Sequence, residues 1–211
     1  MADLQRRTAE RRLIRAAYLV TLSALAFAAA PIPLRGQAPA ADTAAGAHRG
    51  VGALVDLDLR LARLAGRTGL LAGGRLLVEF PSRWRLGGGA HVVLERVGDS
   101  PGQIGPERSL ALGYAGLVAE WSPWREDVSL TLLAGAGVAT LRDRVLGTRV
   151  DAEVVAVVEP GVSAALVRLG RAQLLASAGY RLVFNVGDLE ALSSSDLRSA
   201  FFSVSVRLGP L

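Results

Sequence analysis

The sequence contains no cysteine and no lysine, and only two of its 211 residues are histidine. Without cysteine the protein can form neither disulfides nor thiolate metal sites, and two histidines cannot build a multi-histidine zinc site alone. We therefore predict no metal centre and no cofactor. Aromatic residues are also scarce, at 5% of the chain, and charged residues make up only 20%.

A cluster of positive charge is missing as well, although the formal net charge is +5. Six arginines and two carboxylates precede residue 41, whereas 18 arginines face 17 carboxylates in the remainder. A protein that binds nucleic acid gathers its basic residues on one surface, because it must neutralise several phosphates at once. The nearly balanced charge beyond residue 41 predicts no nucleic-acid partner.

The first 40 residues have the pattern of an export signal. Five arginines (Arg6, Arg7, Arg11, Arg12 and Arg15) precede the uncharged stretch 16–30, which reads AAYLVTLSALAFAAA. This stretch is short for a membrane-spanning helix, which needs about 20 apolar residues, and its small residues suit a secretory cleavage site. We predict a signal peptide and leader over 1–40, cleaved after Ala28 or Ala40, and a flexible segment over 41–50.

From Val51 onward, apolar and polar residues alternate with a period of two. In the segment 150–166, one face carries only apolar residues such as Val150, Val154 and Leu166, whereas Asp151 and Glu153 lie on the other. Successive side chains of a strand point to opposite faces, so this pattern predicts strands that are apolar on one side only.

Turn and loop signals divide this region into eight such stretches. They cover residues 51–61, 70–80, 83–96, 109–121, 127–140, 150–166, 172–184 and 198–208. The connections after the second, fourth and sixth are short, whereas those after the third, fifth and seventh run to roughly a dozen residues. We therefore predict an all-β domain over 51–211, an eight-stranded antiparallel up-and-down transmembrane β-barrel. Pro160 and Gly161 predict a bulge in the sixth stretch.

The polar face predicts a lumen filled by a charge network. Its members are Asp56, Asp58, Arg60, Arg75, Glu79, Arg83, Arg85, His91, Glu95, Asp151, Glu153, Glu159, Arg181 and Arg207. The apolar face would then contact lipid, including Leu110, Leu112, Tyr114 and Val118 of the fourth stretch. Rings near the strand ends predict interfacial girdles, formed by Phe80, Trp84, Trp121, Trp124, Phe184, Phe201 and Phe202. The opposite arrangement, a soluble periplasmic lipocalin-like barrel that binds a hydrophobic ligand, is the alternative.

The alternation ends with Phe202, Val204, Val206 and Leu208 on one face of the last stretch. In this pattern, residues 51–211 resemble the small outer-membrane barrels of Gram-negative bacteria, the membrane domain of the OmpA/OmpX type. The resemblance implies a location in the outer membrane of the cell envelope, insertion by the barrel-assembly machinery, and a structural or surface-binding role. It implies no wide pore, because eight strands enclose only enough room for side chains.

Candidate chemistry is weak in this sequence. His91 and Glu95 share a strand face, but their Cα atoms would lie about 13 Å apart. We therefore predict no catalytic site, and a lipid-modifying barrel enzyme is the less favoured alternative. Outer-membrane lipid is the expected partner. Arg142, Arg144 and Arg149 could also contact lipopolysaccharide, although Asp143 among them favours a solvated loop.

Overall fold

The computed structural model describes residues 51–94, 97–98, 108–125, 127–143, 146, 149–187 and 192–209. Most of these residues lie in long antiparallel strands that close into one barrel. The predicted signal peptide and leader (1–40) and the flexible segment (41–50) lie outside the described residues. Within the described ranges, no helix has the length and apolar composition needed to span a membrane.

The described part of the chain forms nine strands and one short helix. They are β1 (Gly52–Leu64), β2 (Arg67–Glu79), β3 (Trp84–Val93), β4 (Val97–Gly98), β5 (Arg108–Arg125), β6 (Val128–Asp143), β7 (Arg149–Leu169), β8 (Ala172–Phe184), α1 (Ser194–Leu197) and β9 (Ser199–Leu208). The strand predicted over 172–184 coincides with β8, and the other predicted strands differ from the observed ones by a few residues at their ends.

Antiparallel pairing runs round the whole ring, and the pairing of β1 with β9 closes it. The two-residue β4 pairs with β5 beyond the end of β3, so β3 and β4 share one position in the ring. The ring therefore has eight positions. This confirms the predicted eight-stranded antiparallel up-and-down barrel.

The connections differ in length between the two ends of the barrel. The short-turn end holds the connections 80–83, 126–127 and 170–171, whereas the loop end holds 65–66, 94–107, 144–148 and 185–198. The prediction was wrong for the connection after the fifth stretch, which is only five residues long because β6 and β7 extend past the predicted ends. At the first connection, Ala65 and Gly66 both have positive φ, as a two-residue hairpin turn requires.

The strand register fixes the tilt of the strands. From Trp84 on β3, successive register partners are Trp121, Leu130, Val162, Ala178, Phe202, Leu61 and Leu70. Leu70 in turn accepts a hydrogen bond from the backbone of Leu94, ten residues beyond Trp84. A shift of ten residues over eight strands corresponds to a tilt of about 40°, so each residue rises about 2.5 Å along the barrel axis.

Side chains alternate strictly between the lumen and the outer surface. On β1, Leu57, Leu59 and Leu61 are more than half exposed, whereas Asp58 and Arg60 between them are buried. The level of Phe184 lies about 28 Å above that of Trp84. Between these two levels, no outward position of the described residues carries a charge except Arg63 at the upper edge. We call this uncharged outer zone the apolar band, and its height matches that of membrane barrels.

The predicted orientation of the fourth stretch, now β5, was wrong. Leu110, Leu112, Tyr114 and Val118 point into the lumen and are at most 3% exposed. The outward positions carry small residues such as Ala111. The prediction failed because β5 alternates large and small apolar residues, so both of its faces are apolar and the pattern does not show which one points outward. Glu120 lies on the face of Tyr114 and is fully buried.

The bulge predicted at Pro160 and Gly161 is not found there; β7 has a register shift at another position. The ladder between β7 and β8 has no pairs at Glu159 and Pro160, because proline has no N–H to donate, but it resumes at Gly161 in the same register. The register instead shifts between Ala165 and Val167, near the short-turn end.

Candidate functional site

The most highly organised polar region of the molecule is an ion cluster in the lower lumen, towards the short-turn end. We call Asp56, Arg75, Arg85, Glu120 and Arg207 the lower cluster. Arg207 donates to Asp56 at 2.7 and 2.9 Å and to Glu120 at 2.9 and 2.7 Å. Arg75 pairs with Asp56 at 2.9 Å, and Arg85 pairs with Glu120 at 2.6 Å. The lower cluster therefore joins β1, β2, β3, β5 and β9 across the lumen.

A second ion cluster lies above the first. Its members, which we call the middle cluster, are Asp58, Arg60, His91, Tyr114, Glu159 and Arg181. Glu159 accepts hydrogen bonds from Arg60 (2.5 Å), the Tyr114 hydroxyl (2.6 Å) and Arg181 (3.0 Å). Asp58 accepts from Arg60 at 3.2 Å. Glu159, on β7, is thus the acceptor at which side chains from three other strands meet.

The histidine of the middle cluster is held on three sides. His91 Nε2 lies 3.2 Å from Asp58 Oδ2, and its ring stacks on Tyr114 with centroids 5.3 Å apart. Gly73, its register partner on β2, leaves room for the imidazole, since a Cβ there would overlap the ring. His91 is therefore a packed member of the network, in contact with a carboxylate and an aromatic ring.

The charges of the two clusters balance when Glu79 is counted with them. Together with Glu79, which pairs with Arg85 at 2.9 Å, the described lumen between the ends of the apolar band holds five carboxylates and five arginines. The carboxylates are Asp56, Asp58, Glu79, Glu120 and Glu159, and the arginines are Arg60, Arg75, Arg85, Arg181 and Arg207. Buried charges are tolerated when each has partners of opposite sign and satisfied hydrogen bonds.

Between the clusters lies a small polar cavity, lined in part by Thr131, Ser163, Ser177 and Ser203. The Ser163 and Ser177 hydroxyls are 2.8 Å apart. The cavity is bordered by residues of both clusters, including Arg75 and Glu159, so it has the polarity to suit water.

The lumen near the loop end is apolar instead. Inward side chains of β1, β5, β6, β7 and β8 meet there, and α1 adds one from above. We call these residues the upper plug: Leu64, Leu110, Leu112, Leu141, Val155, Val157, Val183 and Leu197, none more than 1% exposed. The upper plug separates the ion clusters from the loop end.

Eight of the fourteen predicted lumen residues are buried in the lumen. They are Asp56, Asp58, Arg60, Arg75, His91, Glu159, Arg181 and Arg207. Arg85 and Glu79 pair at the lower rim, and Asp151 and Glu153 lie half-buried at the loop end. Glu95 lies outside the described residues.

Arg83 requires a correction, and two members of the network were missed. Arg83 is exposed with φ 65° in the connection 80–83, because β3 begins at Trp84, one residue later than predicted. Glu120 and Tyr114 were missed because β5 was assigned the wrong orientation. The signal was available, since a carboxylate at 120 has the parity of Tyr114 and marks that face as the lumen.

The predicted girdle residues divide into three groups. Phe80, Trp84, Trp121 and Trp124 are exposed at the short-turn end, and Phe184 is exposed at the loop end. Trp84 and Trp121 are register partners whose rings stack at 5.6 Å.

Phe201 and Phe202 do not belong to a girdle. Phe201 points into the lumen, where it is 4% exposed and the Arg60 guanidinium lies 4.0 Å from its ring centroid. Adjacent residues of a strand face opposite sides, so only one of the two can point outward. Phe202 is 67% exposed, about 16 Å above Trp84, and so lies within the apolar band.

No protein-family model matches the chain, and no curated protein matches it in sequence. Among solved structures, the chain is similar to Neisserial surface protein A, with 16% identity, a TM-score of 0.49, and coverage of 75% of this chain and 96% of that one. It is similar to the N-terminal β-barrel domain of Pseudomonas aeruginosa OprF, with 11% identity, a TM-score of 0.46, and coverage of 75% and 100%.

A third similar structure is Ail, the attachment invasion locus protein of Yersinia pestis, in complex with the heparin analogue sucrose octasulfate. Its identity is 15%, its TM-score 0.42, and coverage is 75% of this chain and 97% of that one. These are similarities of fold, of the kind that the sequence resemblance predicted, and they say nothing of ligands or activity.

The described residues contain no group of three or more histidine, cysteine or acidic side chains placed to hold a metal ion. The clusters consist of guanidinium–carboxylate pairs, in which some buried nitrogen atoms, such as Nη1 and Nη2 of Arg181, have no hydrogen-bond partner among the described residues. Such an arrangement binds strands together across a lumen.

Proposed function

We propose that this protein is an outer-membrane β-barrel of a Gram-negative bacterium, with a sealed lumen and a structural or surface-binding role. The observation that carries the proposal is the apolar band. Across all eight ring positions, outward side chains between Trp84 and Phe184 are uncharged in the described residues except Arg63 at the upper edge, over a height of about 28 Å. A surface of this size and composition is stable against lipid and unstable in water.

The soluble alternative fits this surface poorly. A lipocalin-like barrel places its apolar side chains around a ligand cavity and its charges outside. In this protein the ion clusters occupy the lumen, and Leu57, Leu117 and Phe202 are more than 60% exposed on the outside. This arrangement, with charged side chains in the lumen and apolar side chains outside, therefore supports a membrane barrel whose biogenesis uses the barrel-assembly machinery.

The proposal predicts a heat-dependent shift on a detergent gel. Folded barrels stay closed in detergent until they are boiled, so we expect the unboiled protein to migrate differently from the boiled one. We also expect it in the outer-membrane fraction after separation of the envelope. Recovery in the soluble periplasmic fraction, with identical mobility before and after boiling, would contradict the proposal.

The lumen supports a barrel without a wide pore. The upper plug closes the loop end with apolar side chains, and the ion clusters fill the lower part. In planar lipid bilayers we expect the refolded protein to give no regular single-channel steps, under conditions in which a porin control conducts. Reproducible openings of one size would show that the lumen is open to solutes.

We further propose that the protein is not a lipid-modifying enzyme. His91 faces the lumen beneath the upper plug and is paired with Asp58, with no route to lipid through the described wall. Cells that produce His91→Ala and cells that produce the wild type should therefore contain the same lipid A by mass spectrometry, and both should match cells without the protein. A modification that depends on His91 would establish the enzyme instead.

A further inference from the structure

The wall of the cavity between the two ion clusters contains side-chain nitrogen atoms that no protein group satisfies. Arg60, Arg75 and His91 all line this cavity. Nε of Arg60, Nε of Arg75 and Nδ1 of His91 are buried, and none of them has a hydrogen-bond partner among the described residues. A buried guanidinium N–H without an acceptor costs free energy. The cavity therefore favours a ligand that accepts hydrogen bonds from the two arginines.

The size of the cavity restricts this ligand to a single small particle. The cavity volume is about 20 Å³. One water molecule needs about 10–15 Å³, so the cavity holds one particle of this size and not two. A water molecule or a monatomic anion such as a halide fits, whereas sulfate, phosphate and organic anions are too large.

The protonation state of His91 decides between these two ligands. Nε2 of His91 lies 3.0 Å from Oδ1 and 3.2 Å from Oδ2 of Asp58, so Nε2 carries a proton in either state. In neutral His91, Nδ1 is then an acceptor, and a ligand with protons of its own, such as water, suits it. In charged His91, Nδ1 is a third donor beside the two arginine Nε atoms. A halide ion, which only accepts, suits all three donors.

The charge balance of the lumen leads to the same coupling between an anion and a proton. Five carboxylates face five arginines in the described lumen, so a halide or a proton that entered alone would be uncompensated. A halide and a proton that enter together add no net charge. The other titratable groups of the middle cluster and the cavity wall, all of them except the uncharged Tyr114 counted in this balance, are Asp58 and Arg60 on β1, Arg75 on β2, Tyr114 on β5, Glu159 on β7 and Arg181 on β8.

We propose that this cavity is a halide site, which binds one chloride ion together with a proton on His91. The ion contacts Arg60 of the middle cluster and Arg75 of the lower cluster, and so joins the two clusters. By linkage, the proton on His91 raises the affinity for halide, and the halide raises the affinity of His91 for its proton by the same factor. Histidine changes its charge between about pH 5 and 8, so halide occupies the site at acidic pH and water replaces it at alkaline pH.

Bromide is the probe for a direct test, because its anomalous X-ray scattering distinguishes it from water. The protein is refolded in detergent with sodium bromide, so that the ion can enter before the ring closes. Crystals at about pH 5 should show an anomalous peak in contact with Arg60, Arg75 and His91, and crystals at about pH 8 should not. No peak in the cavity at about pH 5, or peaks on exposed arginines alone (an adventitious ion only), would overturn the inference. So would an equal cavity peak at both pH values.

Urea unfolding in detergent micelles tests the role of His91 in solution. With bromide at about ten times its dissociation constant, the unfolding equilibrium constant of the wild type should be about tenfold lower than in the same concentration of gluconate at about pH 5. At about pH 8 the two salts should act alike, and His91→Gln should show no bromide effect at either pH. Arg168→Gln removes an exposed arginine that pairs with Asp127, and it should respond like the wild type. An equal bromide effect in His91→Gln and in the wild type would contradict the coupling to His91.

Discussion

Replacing Glu159 by glutamine should lower the free energy of unfolding by about 3–5 kcal/mol, the cost typical of breaking a buried ion pair from one side. Glu159 accepts from Arg60, Tyr114 and Arg181, and its side chain is 2% exposed. Glutamine keeps the shape but removes the negative charge, so the buried Arg181 loses its counter-ion and Arg60 keeps only Asp58. Urea unfolding of the refolded barrel in lipid vesicles, followed by tryptophan fluorescence, measures the change.

The same substitution at Glu79 is the matched control. The Glu79 side chain is 36% exposed, and its partner Arg85 keeps Glu120 when Glu79 is changed. A partly exposed pair contributes about 0–1 kcal/mol, so Glu79→Gln should have little effect. Equal effects at the two positions would mean that the middle cluster does not hold the strands together as its geometry indicates.

An arginine in place of Leu117 should destabilise the barrel in lipid by about 2–4 kcal/mol. Leu117 points outward and is 77% exposed, about halfway up the apolar band. A charge at this depth meets hydrocarbon and has no lumen partner within reach. Folding into vesicles, measured by the fraction of heat-shifted protein and by the unfolding free energy, tests the expected loss.

Val150→Arg provides the depth control, because Val150 also points outward but lies above the apolar band. It is 44% exposed, near the start of β7. Substitution by arginine there should cost about 0–1 kcal/mol, as at the interfaces of other membrane barrels. If both variants fold equally well into vesicles, the outer surface does not face hydrocarbon.

The period-two pattern was sufficient to predict the strands and their number. On β1, for instance, leucine and charge alternate, and only one face can be apolar. On β5 the same rule could not choose a face, because Leu112 and Ala111 are both apolar and a packed lumen accepts either. One charged residue, Glu120, indicates which face of β5 points into the lumen.

The sequence could not predict the height of each residue along the barrel axis. Phe202 lies near a long loop in the sequence, yet its ring lies inside the apolar band, because position depends on the ten-residue shift around the ring. The sequence also could not predict which charged residues pair with each other, since Asp56 and Arg207 are 151 residues apart. Alternation predicted that both point inward, and only the closed register brings them into contact.

The pairing of Asp56 with Arg207 links the two ends of the barrel domain across its closing seam. Arg207 also holds Glu120 on the far wall, so the lower cluster has all its partners only after β9 has met β1. An open sheet on its way into the membrane would carry these charges unpaired, which hydrocarbon does not tolerate. Closure of the ring therefore completes the charge pairing of the lower lumen, and the last strand supplies the arginine that does so.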